Sequence, residues 1–317
     1  MDFFTKVAIS ATNACIDYKS HLAFFGSCFA DNISAQFASR KFKVLANPFG
    51  TVYNPLSIER SIQIIVDGKA FGEQDVFKDE RSDGLWHCWD AHSSLSASSR
   101  EECITKLNSA RDQAREFLQQ ADTVFITIGS AFVYSLGEKV VANCHRQDPR
   151  IFERRLISTE EASQSIERIV AQLHAINPDS RTIFTVSPIR HLGDGAHENN
   201  LSKATALLAI NKALEEGSGA EYFPSYEIVM DELRDYRFYS DDMIHLSKTA
   251  EEYIFERMVE TYCDDSTREN MAKVEKFLKM ANHRIQDGNS PATQELKKKI
   301  KAQALELEKL IPGLNLS

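Results

Sequence analysis

Two short segments hold the residues whose types and spacing could do chemistry. Phe24-Phe25-Gly26-Ser27-Cys28-Phe29-Ala30 runs from an apolar stretch through a glycine and a serine into a helical pattern. A serine there sits on a strand-to-helix turn, where the first N–H groups of the helix favour developing negative charge. The glycine permits a tight turn and close substrate approach. An acyl-transfer nucleophile needs this arrangement, a presented hydroxyl beside ready-made oxyanion donors. The plainer reading is that Ser27 caps the helix. Cys28 is a rival nucleophile, but one residue into the turn it points toward the core, where cysteine behaves as a small hydrophobe.

A serine hydroxyl needs a base, and histidine held by a carboxylate suits that task near neutral pH. Tyr239-Ser240-Asp241-Asp242-Met243-Ile244-His245-Leu246-Ser247 lies just before a helical pattern. Asp242 stands three residues before His245; if the loop bends like one helical turn, its carboxylate meets the imidazole Nδ1 and leaves Nε2 for Ser27. Asp241, four residues away, is the second choice. A lone pair of this kind is also what a solvated helix-entry loop would show. The order along the chain gives it weight, with the serine turn early and the acid–histidine pair late.

Other polar positions invite a binding role. Asn143-Cys144-His145 follows an apolar run and reads as the end of a strand, where open α/β sheets bind ligands, so His145 is a substrate-contact candidate. Arg190-His191 follows Ser187-Pro188 at another strand exit, and an arginine there could clamp a carboxylate or phosphate. Trp86, His87, Trp89 and His92 form an aromatic–histidine cluster that could stack on a sugar ring or simply pack an inserted lobe. Among His87, His92, His145 and His191 no pair has the spacing that converges on one ion, so no metal is expected.

The elements that must position these residues read as alternating strands and helices. Strands are predicted at Leu22–Phe25, Thr123–Ile128 and Thr182–Val186. Helices are predicted at Asp31–Phe42, Ile58–Val66, Arg100–Gln119, Thr159–Ile176, Leu201–Glu216 and Ser247–Tyr262. Strands separated by helices of this length imply parallel βαβ units. The composition shifts near Cys263. Beyond it lie two charged helical stretches, Arg268–Ile285 and Pro291–Ile311, broken by the turn-rich residues 286–290. In the last, Leu296, Ile300, Leu307, Leu310 and Leu314 fall on one face. The expected division is therefore residues 1–263 for the main domain and 264–317 for a helical hairpin extension, packed on that domain or pairing subunits into a homodimer.

The chain has 317 residues, 37 Lys+Arg against 46 Asp+Glu, and a net charge of −9. Such a chain has no global field to gather nucleic acid or an anionic membrane. No stretch approaches the ~18 consecutive apolar residues of a membrane helix. The start lacks a basic segment followed by a sustained apolar one, which leads to an expectation of cytoplasmic location. Cys15, Cys28, Cys88, Cys103, Cys144 and Cys263 are scattered without a close pair and are expected as reduced thiols.

Gly26-Ser27-Cys28-Phe29-Ala30 is the pentapeptide that names the GSCFA family, a branch of the SGNH (GDSL-like) hydrolase superfamily, and the resemblance extends well beyond it. Asn47-Pro48-Phe49-Gly50-Thr51-Val52-Tyr53-Asn54-Pro55 is similar to the family's second block and Thr127-Ile128-Gly129-Ser130-Ala131-Phe132-Val133-Tyr134 to its third. Val141 to Gln147, Thr185 to Leu192, Asn200-Leu201-Ser202-Lys203-Ala204 and Phe223 to Tyr239 continue the pattern, covering roughly residues 20–260. The resemblance implies a three-layer α/β/α sandwich with a central, mostly parallel sheet. It also implies Ser27 as nucleophile, with Asp242 and His245 completing a triad. For the oxyanion it implies the N–H groups of Ser27 and Gly50 and an asparagine side chain from the third block. Here that position holds Ala131, so Ser130 or a residue from elsewhere such as Asn143 is the candidate third donor, or the hole has two donors. Leu246 stands where a proline is expected. The activity so implied is a serine esterase or O-deacylase without cofactor, acting on a small-molecule or carbohydrate acyl ester, acetyl foremost. An O-acyltransferase using the same residues and a catalytically silent glycan- or protein-binding module are the alternatives.

Overall fold

The computed structural model describes residues 5–10, 16–80, 83–282 and 291–316. The first strand, β1 (His21–Gly26), leads into α1 (Cys28–Ser39), β2 (Lys43–Ala46) and α2 (Pro55–Asp67). A small hairpin of β3 (Val76–Lys78) and β4 (Trp86–Cys88) precedes α3 (Arg100–Leu118) and β5 (Thr123–Ile128). Next come a three-stranded antiparallel lobe of β6 (Phe132–Leu136), β7 (Lys139–Val141) and β8 (Glu153–Leu156), then α4 (Thr159–Ile176), β9 (Arg181–Val186) and α5 (Ala196–Glu215). The chain continues through β10 (Glu221–Tyr222), the short α6 (Ser225–Glu227) with a π-helical turn at Ile228–Glu232, α7 (Lys248–Tyr262), α8 (Asp265–Ala281) and α9 (Pro291–Leu310).

The central sheet has the order β10-β9-β5-β1-β2, and every pairing in it is parallel. From β1 the chain moves to β2 on one side and then to β5, β9 and β10 on the other. The carboxyl end of β1 is therefore the topological switch point, the place where open α/β sheets bind ligands. Side chains alternate across the sheet. Ala23 and Phe25 join Val124, Ile126 and Ile128 in an apolar core covered by α2, α3, α4 and α5. Leu22 and Phe24 join Phe125 and Ile183 in a second core, covered by α1, α7, α8 and α9. Burial on both faces explains why β1, β5 and β9 read as near-continuous apolar runs. The protein is thus an α/β sandwich with a central parallel sheet flanked by helices.

Several boundaries differ from the sequence expectations. α1 starts at Cys28 rather than Asp31, because Ser27 already takes the extended N-cap conformation, and it ends at Ser39 because Lys41 turns left-handed at φ 70°. α5 begins five residues early, at Ala196. Strands β2, β3, β4, β6, β8 and β10 are not evident from the sequence, whereas the strand end expected before Asn143 is β7. Most are short and half-exposed, and β8 is nearly all charged, so pairing partners rather than an apolar run define them. Asp264 caps α8 by accepting from Thr267 N–H at 2.7 Å. On α9 the apolar face is displaced by one position at its end: Leu310 is 57% exposed, whereas Ile311 is buried. The break at 286–290 and Cys15 lie outside the described residues. Cys28, Cys88, Cys103 and Cys144 are free thiols. Among the described residues no helix is long and apolar enough to cross a membrane.

Candidate active site

The turn at Gly26-Ser27 is built by the sheet itself. Gly26 has φ 133°, and a Cβ there would stand 2.1 Å from the carbonyl oxygen of Thr127 on β5, so only glycine fits. Ser27 then occupies the N-cap position of α1, yet its side chain makes no capping hydrogen bond. The serines capping other helices do: Ser99 accepts from Glu102, Ser158 from Glu161 and Ser247 from Ala250. The Ser27 Oγ is buried with no hydrogen-bond partner. This is not a helix-capping serine, and the N–H groups of Cys28 and Phe29 at the start of α1 gain nothing from it. The Cys28 thiol is half-buried, and burial pushes its pKa up, with the Asp31 carboxylate adding to the effect. A thiol so placed is a poor nucleophile at neutral pH.

The second block braces this turn. The Asn47 side chain accepts from Gly26 N–H at 2.8 Å and donates to Asp31 on α1 at 2.7 Å. Val52 N–H returns to the Gly26 carbonyl at 3.0 Å. Two expected oxyanion donors are engaged elsewhere. The Gly50 N–H closes the Asn47–Gly50 turn on the Asn47 carbonyl at 2.7 Å, a firm bond that must open before Gly50 can serve an oxyanion. The Ser27 N–H reaches the Thr127 carbonyl at 3.3 Å, a long bond that leaves room to share the proton.

The late segment forms a tight loop before α7. Ser240 N–H donates to the His245 carbonyl at 2.8 Å, Met243 turns left-handed at φ 59°, and buried Leu246 anchors the end in the second core. Within it the Asp242 Oδ2 meets His245 Nδ1 at 2.6 Å. The Asp242 Oδ1 accepts from the N–H groups of Ile244 and His245 and from the Ser240 hydroxyl. The His245 bond first, and the two amides after it, hold the Asp242 carboxyl well below the usual carboxylate range. Asp242 rather than Asp241 is thus the histidine's partner. A side-chain bond between Asn32 on α1 and Glu251 on α7 ties the helix after Ser27 to the helix after His245. His245 itself is exposed, and no hydrogen bond joins it to the buried Ser27 hydroxyl.

The third block packs directly behind Ser27. A Cβ on Gly129 would lie 3.0 Å from the Ser27 Cβ. The Gly129 and Ser130 N–H groups both donate to the Tyr53 carbonyl, at 2.8 and 2.9 Å. Ser130 is drawn away from an oxyanion role: its hydroxyl accepts from Phe132 N–H at 3.0 Å and meets the Ser202 hydroxyl at 3.2 Å. The Asn143 side-chain oxygen accepts from His145 N–H at 2.7 Å, within the turn after β7. Two residues that the sequence offered only as part of the family pattern, with no role assigned, hold this region together. Ser202 accepts from Ala131 N–H at 2.7 Å, and Lys203 is fully buried with its Nζ donating to the Gly129 and Ser187 carbonyls. A lone lysine inside a helical pattern gave no signal of burial.

His145 is not placed to hold substrate. Its Nε2 lies 2.8 Å from the Cys88 carbonyl and its Nδ1 3.1 Å from the Ser93 hydroxyl, so both nitrogens are spent on tying two loops together. Burial drives its pKa down to about 4. It stacks near His87, while Trp89 stacks on Phe77 with centroids 3.8 Å apart. The aromatic–histidine cluster therefore packs an inserted lobe. His87 does find acidic neighbours at four-residue spacing: Asp79, Asp83 and His87 bring three ligand atoms within 4.8 Å of one another. His87 Nδ1 is held by Ser96, however, and its Nε2 by Asp83. Arg190 and His191 separate two cavities beside the site. One, of about 320 Å³, is lined by Tyr53, Ser130, Phe132, Tyr134, Asn143 and His191. The other, of about 490 Å³, is lined by Arg190, Met230, Tyr236, Tyr239 and Met243. A larger one, about 710 Å³, between residues 6–10 and α7 contains none of these groups.

Comparison with known proteins places the chain in a family. A search of curated proteins gives no match. Among solved structures it is similar to an acetyl xylan esterase from the rumen bacterium Butyrivibrio proteoclasticus, with 12% identity and a TM-score of 0.39. That similarity covers 78% of this chain and 64% of the esterase, so the chain spans less than two thirds of its length. The GSCFA family pattern matches residues 21–258, from the first residue of β1 to within α7. With a match over most of its length that includes both the serine turn and the acid–histidine loop, this chain belongs to the GSCFA family.

Proposed function

We propose that the protein is a serine esterase that removes a short acyl group, acetyl foremost, from an alcohol. The observation that carries this reading is the Ser27 hydroxyl. It stands at the switch point of the sheet, at a helix N-terminus, buried and unpartnered where a capping serine would be bonded. A buried hydroxyl left without a partner carries an energetic penalty, and a role as nucleophile accounts for it.

In this scheme Ser27 Oγ attacks the acyl carbonyl carbon. His245 Nε2 takes the hydroxyl proton and returns it to the leaving alcohol, while Asp242 holds Nδ1–H and stabilises the imidazolium. The acyl-serine is then attacked by water, activated by the same nitrogen. The base loop must settle onto Ser27 when substrate fills the cleft, since catalytic hydrogen bonds often tighten only in the complex. The donors that support the oxyanion reading are the weakly held Ser27 N–H and the uncapped start of α1. The cavity lined by Tyr53, Phe132 and Tyr134 suits a sugar ring as the alcohol.

The engaged Gly50 N–H favours one other reading, a silent binding module that kept the turn and lost the chemistry. Hydrolysis of p-nitrophenyl acetate separates the two. In the esterase, Ser27→Ala and His245→Ala each lose ~10³-fold or more, and Asp242→Asn roughly 10²–10⁴-fold. A fluorophosphonate probe labels Ser27 in the wild type and labels it far more slowly in His245→Ala. Absent turnover with an unlabelled Ser27 rejects the esterase.

A further inference from the structure

Lys203 takes no part in the scheme above, and its burial calls for a reason. It projects from α5 and is 1% exposed. Its Nζ donates at 2.7 Å to the carbonyl of Gly129 and at 2.7 Å to that of Ser187, just beyond the carboxyl ends of β5 and β9. Its partners are carbonyl dipoles; among the described residues no carboxylate pairs with it. Burial of an ammonium without a counter-anion is unfavourable, and it pulls the Lys203 pKa down to about 7. The ionisable groups that face it are the Cys28 thiol on α1 and the Arg190 guanidinium beyond β9. Asp31 and Tyr53 lie beyond Cys28.

The neighbours of Lys203 place it behind the nucleophile. Gly129, whose carbonyl it holds, is the residue pressed against Ser27. The adjacent Ser202 holds the same turn from its other end, through Ala131 N–H. Ala131 occupies the position where the third oxyanion donor is expected.

Building on the esterase reading, we propose that Lys203 is a positioning residue that stands in for the missing third donor. It fixes the Gly129–Ala131 turn against Ser27 and sets an uncompensated positive charge behind the point where the oxyanion forms. Lys203 and Ser27 are both buried, so such a charge acts strongly there, and it needs no reorganisation when the tetrahedral intermediate appears. The anion that Lys203 lacks in the resting protein is supplied by the reaction.

The sign of the pH effect follows. The ammonium form is the useful one, so activity is present below the Lys203 ionisation and falls as pH rises through it. The test is kcat and KM for p-nitrophenyl acetate over pH 5–9.5 in the wild type, Lys203→Met, Lys203→Arg and Ser27→Ala. The wild type should show an alkaline fall. Lys203→Met should lower kcat by about 10²-fold at pH 6.5 with KM little changed, and lose that fall. Lys203→Arg, which cannot deprotonate, should recover part of kcat and stay flat on the alkaline side. A Lys203→Met enzyme with wild-type kcat and the same alkaline limb overturns the proposal. If that variant does not fold, a wild-type profile flat to pH 9.5 overturns it equally. Turnover unaffected by Ser27→Ala, or none at all in the wild type, rejects the esterase reading itself and removes this role with it.

Discussion

Ser27 and His145 show how burial gives two polar side chains different uses. The Ser27 hydroxyl is enclosed with no partner, while the His145 ring spends both nitrogens on the protein. The histidine is therefore a structural tie that must stay neutral, and burial lowers its pKa to about 4. In the unfolded chain it titrates near 6.5, so between those values the unfolded state binds the extra proton. Stability is fully present above pH 6.5 and declines as pH falls toward 4, by a contribution on the order of 3 kcal/mol. Thermal unfolding at pH 4.5 and 7.5 checks this. The wild type should lose markedly more Tm between the two than His145→Gln, and equal losses would show that His145 does not carry the effect. His87 and His92 face the same ring, so their replacement is the companion control.

At the scale of elements, the site is a junction of loops braced by one another. The β1–α1 turn is clamped by Asn47 from the loop after β2, by Thr127 at the end of β5 and by Gly129 just past it. α1 is tied to α7 through Asn32–Glu251 and through Arg40, which bonds both Glu252 and Glu275. A change at the turn should therefore act on the whole junction. Gly26→Ala puts a methyl 2.1 Å from a backbone oxygen at a φ of 133°. It should cost about 3 kcal/mol of stability and abolish Ser27 labelling. Denaturant unfolding measures the first, and an unchanged midpoint would show that the turn is not held as described. The Asp242–His245 pair is pre-formed within its own exposed loop.

At the scale of the molecule, α8 and α9 share a core with the sheet. Met271, Val274, Phe277, Leu307 and Ile311 are buried in the same cluster as Leu22, Phe24 and Phe125. Removing residues 264–317 would uncover that face, and the truncated chain should aggregate or unfold at much lower temperature. Phe277→Ala in the full chain should cost about 3–5 kcal/mol. A truncated chain with full-length Tm would mean that the hairpin is an independent unit. By itself the sequence determined the buried strands β1, β5 and β9, most of the long helices, the serine turn and the Asp242–His245 pair. Each of these is encoded locally, by an apolar run, a 3.6-residue period or a three-residue spacing. The family was equally legible, through motifs in fixed order. What only the tertiary structure decided depends on residues distant in the chain. The short strands exist because partners pair with them. His145 became a tie because Cys88 and Ser93 meet it. Gly50 spent its N–H on Asn47. Lys203 was buried because the ends of β5 and β9 converge on α5. Burial and hydrogen-bond partners belong to the packed molecule, and no local pattern of residues encodes them.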